Sequence, residues 1–257
     1  MYDKFASQYD RFVNWKNRLE VELPFIKRNL GELLTVDNKP ARILDAATGT
    51  GMHAIALAKE GYEVAGADLS PEMIEIARSN AQSADVNVVF ESAGFGRLAQ
   101  TFSGRTFNAL LCLGNSLPHL LTEKELESAI NDFAACLKPG GWLLIQNRNY
   151  DEVVGRQDRW MEPQTFVEGA RQWVFQRFYD FNADGTIQFN VVTLNRRGQE
   201  GWSSAVLSTT LRPILRDDLV QLLETQGFTE IQTLGSLSEE KFNPVNSSNL
   251  VVSAKKR

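Results

Sequence analysis

The sequence predicts an α/β fold: a mostly parallel seven-stranded sheet with helices on both faces, an N-terminal helical cap, and an antiparallel β insertion after the fifth strand. Three observations carry this prediction. Strand–turn–helix units recur between residues 43 and 145, as alternating βαβ architecture requires. The small-residue run Asp45-Ala46-Ala47-Thr48-Gly49-Thr50-Gly51 opens the first unit. Beyond Tyr150, period-two alternation of aromatic and β-branched residues replaces helical spacing. At 257 residues with 43% hydrophobic and 23% charged side chains, the chain suits one large globular domain able to bury a substantial core.

Residues 2 to 34 carry Phe5, Tyr9, Phe12, Val13, Leu19, Leu23, Ile26 and Leu30 at mostly three- and four-residue spacings, so they read as helix, with a kink or new start at Pro24. Ile43-Leu44 is the first strand, and Ala54 to Lys59 the helix after the glycine turn. Glu63 to Ala67 forms the second strand and ends at Asp68. Ser70-Pro71 then supplies an N-cap and first helical residue for a helix to about Ser83. Val86 to Phe90, Phe107 to Cys112 and Trp142 to Ile145 are three further strands. Lys138-Pro139-Gly140-Gly141 reads as the stop between a helix over 123–137 and the fifth strand. Residues 165 to 210 form the insertion, with a hairpin turn at Asn182-Ala183-Asp184-Gly185. A helix from Arg216 to Gln226 is stopped by Gly227, and strands near 228–234 and 249–254 form a closing pair. The chain thus divides into a helical cap (1–38), a parallel α/β core (39–150), an antiparallel insertion (151–213) and a C-terminal helix with closing strands (214–257).

A net charge of -5 argues against nucleic-acid binding, which needs clustered Lys and Arg for counterion release. The N-terminus Met1-Tyr2-Asp3-Lys4 is polar and no apolar run reaches about 18 residues, so neither signal peptide nor membrane span is expected and the reading is cytoplasmic. A homo-oligomer is compatible with the sequence. Cys112 and Cys136 lie in apolar stretches without metal-ligand spacing, so buried reduced thiols and no metal are expected.

Gly49-Thr50-Gly51 between strand and helix lets a ligand approach the backbone, with N–H groups facing it. The same spacing satisfies G-x-G-x-x-A through Ala54, and Asp68 stands where an acid would hold ribose hydroxyls, so a nicotinamide oxidoreductase is one reading. Asp45 discriminates against it. A carboxylate just before the turn holds a ligand ammonium but repels a pyrophosphate.

With these residues in place, Ile43 to Gly51 and Gly66-Ala67-Asp68-Leu69-Ser70 resemble the class I S-adenosylmethionine-dependent methyltransferases. Asp10 to Trp15 with Arg18, Cys112-Leu113-Gly114-Asn115-Ser116 with His119-Leu120, and Arg148-Asn149-Tyr150-Asp151 are similar to the glycine and glycine/sarcosine N-methyltransferases. The similarity runs from about Phe5 to Phe181. It implies a Rossmann-like sheet, S-adenosylmethionine as cofactor (S-adenosylhomocysteine as product), and methyl transfer to a small amino acid, or to another small amine or carboxylate-bearing metabolite. A catalytically silent cofactor-binding module is a further reading.

The resemblance also places residues. Asp68 matches the acid on both ribose hydroxyls; Ala47, Gly49 and Gly51 match the loop under the methionine part; Trp15 and Arg18 match a pair that covers the cofactor and binds its carboxylate. Tyr9, Asp45, Leu69, Met73, Gly94, Phe95 and Leu113 complete the implied cofactor site. Asn115 and Arg148 are the implied acceptor-side residues, Arg148 binding the acceptor's carboxylate and Tyr150 and Asp151 supporting that turn. Two positions depart. Gly94-Phe95 replaces an acidic or amide residue followed by Trp, which removes a hydrogen bond to adenine while leaving a ring to stack. Gln146 replaces an Asp, which changes the charge beside the acceptor. His53 and His119 have no acid or nucleophile partner in the sequence, so packed or solvated histidine is expected of both.

Overall fold

The computed structural model describes residues 10–31 and 39–257. Helix α1 spans Trp15–Gly31. It is not one continuous helix with residues 10–12, as the periodicity suggested: the chain breaks at Val13-Asn14. The reason is local, since Asn14 Oδ1 accepts the Asn17 N–H at 3.2 Å and starts the helix afresh. Pro24 makes no new start; α1 continues through it, with the ring on the exposed face. Tyr9, and the rest of the cap before residue 10 and over 32–38, lie outside the described residues.

The core follows as β1 (Arg42–Ala46), α2 (Met52–Lys59), β2 (Glu63–Asp68), α3 (Pro71–Ser83), β3 (Val89–Ser92), α4 (Leu98–Thr101), β4 (Phe107–Cys112), α5 (Glu123–Cys136) and β5 (Leu137–Arg148). α6 (Tyr150–Arg156) leads to β6 (Gln164–Glu168), β7 (Arg171–Phe181), β8 (Ile187–Arg197) and β9 (Ser203–Leu211). The chain closes with α7 (Arg216–Thr225), β10 (Phe228–Leu234) and β11 (Asn249–Lys256). One sheet has the order β10-β11-β5-β4-β1-β2-β3; the other is the insertion, β6-β7-β8-β9. In the first sheet β1–β5 pair in parallel, while β11 runs antiparallel to β5 and β10 antiparallel to β11. The second sheet is antiparallel throughout.

The predicted cap at Ser70 is present: its side chain accepts the Met73 N–H and Pro71 opens α3. β5 begins earlier than its Pro-Gly-Gly signal suggested. Leu137 already pairs with Phe107, so the turn chemistry is absorbed as a register shift, with Gly140 at φ 72°.

Each central strand feeds two cores, because successive side chains leave a strand on opposite faces. Leu44, Leu110, Leu143 and Ile145 face α5 and α7. Ile43, Leu111, Trp142 and Leu144 face α1, α2 and α3. β4 is buried along its whole length, as expected for a parallel strand covered on both sides. Cys112 and Cys136 are buried and unbridged, and burial pushes the Cys136 thiol up to about 12. Among the described residues no helix is long and apolar enough to cross a membrane, and no cluster of His, Cys, Asp and Glu is placed to hold a metal.

Gly51 shows how the sequence shapes the turn before α2. It adopts φ +82°, and a Cβ there would lie 2.8 Å from the Phe90 ring and 2.9 Å from the Ala77 Cβ. Gly51→Ala is therefore expected to destabilise the fold by about 2–3 kcal/mol, through overpacking and left-handed strain. Thermal denaturation checks this, and an unchanged melting temperature would show that Phe90 simply gives way.

Candidate active site

The carboxyl ends of the parallel strands, where open α/β sheets bind ligands, border two adjoining cavities. The first, about 430 Å³, lies over the glycine turn and is lined by Asp45, Ala47, Thr48, Gly49, Asp68, Leu69, Met73, Gly94, Phe95 and Leu113, with Trp15, Arg18 and His53 from the helices. Most of the residues expected around a cofactor therefore meet here. Gly51 does not: it sits behind the turn, and its missing side chain serves the packing on Phe90.

Asp68 ends β2 and fixes the turn. Its two carboxylate oxygens accept the Gly49 N–H and the Ser70 N–H, each at 2.9 Å. Asp45 is almost fully buried and accepts the Thr48 hydroxyl at 2.7 Å. Burial, with a smaller push from Asp68, raises its pKa against the opposing influence of His53, Thr48 and Arg18. A cationic ligand group would favour the ionised form. Asp10 ties the chain before α1 to the turn, its Oδ1 accepting both the Trp15 indole N–H and the Thr50 hydroxyl at 2.7 Å. Leu69 stands largely exposed at the rim and would lie 3.0 Å from a Cβ at Gly94. Phe95 sets its ring edge-on to Phe133.

The second cavity, about 390 Å³, lies between the end of β5, α1 and the insertion. Arg18, Gly114 and His119 line both cavities. Asn115 and Arg148 line the second. Asn115 holds a left-handed conformation at φ 71°, and its side chain joins two elements. Its Oδ1 accepts the Arg148 backbone N–H at 2.9 Å, and its Nδ2 donates to the Tyr150 hydroxyl at 3.0 Å. The Nε of Arg148 is buried without an acceptor, as is the Nε of Arg177 from β7.

Between the cavities runs a network the sequence did not reveal. Glu22 of α1, only 6% exposed, accepts from Arg18 Nε at 3.1 Å and from Gln146 Nε2 at 3.1 Å, and stands 2.6 Å from His53 Nε2. Burial opposes its ionisation, but the His53 hydrogen bond and the Arg18 charge outweigh burial and hold its carboxyl below the usual range. His53 is packed, as expected, yet has an acid partner 31 residues away. Gln146 also accepts from Arg18 Nη2 at 3.2 Å. Arg18 is thus already paired, and its guanidinium covers the Trp15 ring at 5.3 Å. His119 is driven down to about 4 mainly by burial, so its imidazole is neutral at pH 7.

A methyltransferase-domain family model matches residues 43–141, from β1 into β5. A glycine/sarcosine N-methyltransferase of Parasynechococcus marenigrum is 37% identical over 152 residues, 59% of this chain and 52% of that protein. The matched part therefore spans about half of that relative's length. Its counterpart from Aphanothece halophytica is 29% identical over 235 residues, 91% of this chain and 82% of the relative. The crystal structure of a S-adenosylmethionine-dependent methyltransferase from Clostridium acetobutylicum superposes with a TM-score of 0.78 at 18% identity, over 99% of this chain and 98% of that one. These likenesses support a class I methyltransferase.

The glycine-turn cavity fits S-adenosylmethionine by the chemistry of its donor set. Among the described residues two carboxylates, Asp45 and Asp68, line it, and its one guanidinium, Arg18, is already paired with Glu22. That lining suits a ligand with a sulfonium, an ammonium and a ribose, and opposes a pyrophosphate. The nicotinamide reading loses its footing there.

Proposed function

We propose that the protein transfers a methyl group from S-adenosylmethionine to the amine nitrogen of a small amino acid held through its carboxylate. The observation that carries this reading is Arg148. Its guanidinium lines a cavity sharing Arg18, Gly114 and His119 with the glycine-turn cavity, and its buried Nε lacks an acceptor that a carboxylate would supply. The names of the relatives from Parasynechococcus marenigrum and Aphanothece halophytica support the same acceptor class.

When bound, S-adenosylmethionine supplies an electrophilic methyl group. The protein's part is placement. Asp68 holds the ribose, Arg148 holds the acceptor's carboxylate, and Asn115 fixes Arg148 by clamping its backbone N–H. Holding both partners this way contributes up to about 7–11 kcal/mol through proximity and orientation. His119 is neutral at pH 7, and the acceptor's ammonium must give up its proton, to water or a weak base, before transfer.

Mass spectrometry of the protein with S-adenosylmethionine and glycine, sarcosine, dimethylglycine or other small amines tests the reading directly. A product heavier by one methyl supports it, and a screen without product removes it. Arg148→Ala is expected to raise the acceptor KM by about 100-fold, the loss of a charge-assisted pair, while cofactor affinity stays within threefold. Equal effects on both ligands would remove Arg148 from the acceptor site.

A further inference from the structure

We propose that the acceptor carries a second acidic group, making it an amino dicarboxylate rather than a single-carboxylate amino acid, and that Arg177 of the insertion binds that group. The inference rests on the amino-acid reading above and deepens it.

The charge balance of the acceptor cavity carries the argument. Among the described residues three guanidiniums line it, from Arg18, Arg148 and Arg177, against one carboxylate, Glu22. Glu22 is committed to Arg18 and His53, and His119 is neutral at pH 7. Two positive charges are left over. Among the described residues no carboxylate lies within ion-pair distance of Arg148 or Arg177. A single carboxylate neutralises only one of them, and burying an unpaired charge is expensive.

The hydrogen-bond inventory agrees. The Nε atoms of both arginines are buried without acceptors, and Asn147, 1% exposed in the same wall, has neither amide atom paired. Native structures leave few such groups unsatisfied without a reason. Arg177 is also held in place: its guanidinium lies 5.2 Å from the Phe12 ring centroid. Burial and the neighbouring Arg148 charge both disfavour its ordinary protonated state, a penalty that a second anion would relieve. Size points the same way. A cavity of about 390 Å³ lies in the range of sites for ligands well above two carbons.

The test is calorimetric titration of the protein saturated with S-adenosylhomocysteine, using glycine, sarcosine, aspartate and iminodiacetate. The two diacids are expected to bind at least tenfold more tightly than glycine. Arg177→Gln should weaken the diacids by about 10- to 100-fold and change glycine less than threefold, whereas Arg148→Gln should weaken all four. Should Arg177→Gln misfold by circular dichroism, Arg177→Lys keeps the charge and is expected to keep the diacid preference. Glycine binding as tightly as the diacids overturns the proposal, as does an Arg177 variant that weakens all four equally. Methylation of some other amine, with none of the four bound, also overturns it while leaving methyl transfer standing. Arg177-dependent diacid binding without methylated product from any acceptor supports it and sinks the methyl-transfer reading instead.

Discussion

Asp68→Ala is expected to weaken S-adenosylmethionine binding by about 10²- to 10⁴-fold. The estimate follows from two charge-assisted hydrogen bonds to ribose hydroxyls at about 1.5–3 kcal/mol each, with 1.4 kcal/mol per factor of ten. The side chain also accepts the Gly49 and Ser70 N–H groups, so its removal frees the turn as well as the ligand. Asp68→Asn separates the two contributions, since the amide keeps one acceptor oxygen and a similar shape. Its affinity should fall between those of the alanine variant and the wild type. Calorimetric titration with the cofactor measures both, and unaltered affinity in the alanine variant would refute the ribose assignment.

The second large effect is on stability. Glu22→Ala leaves Arg18, His53 and the Gln146 amide facing a buried gap where each now has a carboxylate partner. Removing one member of a buried charge pair costs about 3–5 kcal/mol, because the remaining charge stays desolvated. Urea denaturation should show that loss; a midpoint close to wild type would mean that water or a rearranged His53 replaces the carboxylate. Glu22→Gln gives the pH signature. The native carboxyl titrates below its ordinary value of 4.5, so its contribution is complete above that value and disappears as pH falls through the lower, folded one. As pH falls below 4.5 the wild type should therefore lose more stability than the glutamine variant. Parallel curves would show that the ion pair contributes nothing to acid sensitivity.

The core was legible because its signals are local. Ser70-Pro71 announces its helix within two residues, and Asp68 announces itself by ending a strand beside a glycine turn. The helix faces and the insertion were harder. Periodicity identifies the apolar stripe of α1 but not which polar residue the stripe buries, so nothing in the sequence joins Glu22 to His53. Arg177 stands in the run Trp173 to Phe181, where alternation says that one face is covered. Which face meets the acceptor cavity depends on how the second sheet docks on the first, a property of the whole molecule. Gly51 is ambiguous for a related reason: a glycine in a ligand loop and a glycine beneath a phenylalanine ring have the same spelling. The boundary of β5 differed because ladder pairing with β4 overrode the turn preference of Pro139-Gly140-Gly141.

Arg18 stands in the wall shared by both cavities, one side chain lining each. Donor and acceptor are then thermodynamically linked even without touching. Whatever factor the first ligand applies to the second's affinity, the second applies to the first, since the four binding equilibria close a cycle. An acceptor constant measured on the bare protein and one measured on the donor-loaded protein accordingly describe two different species, and their ratio measures how strongly that shared guanidinium couples the two sites.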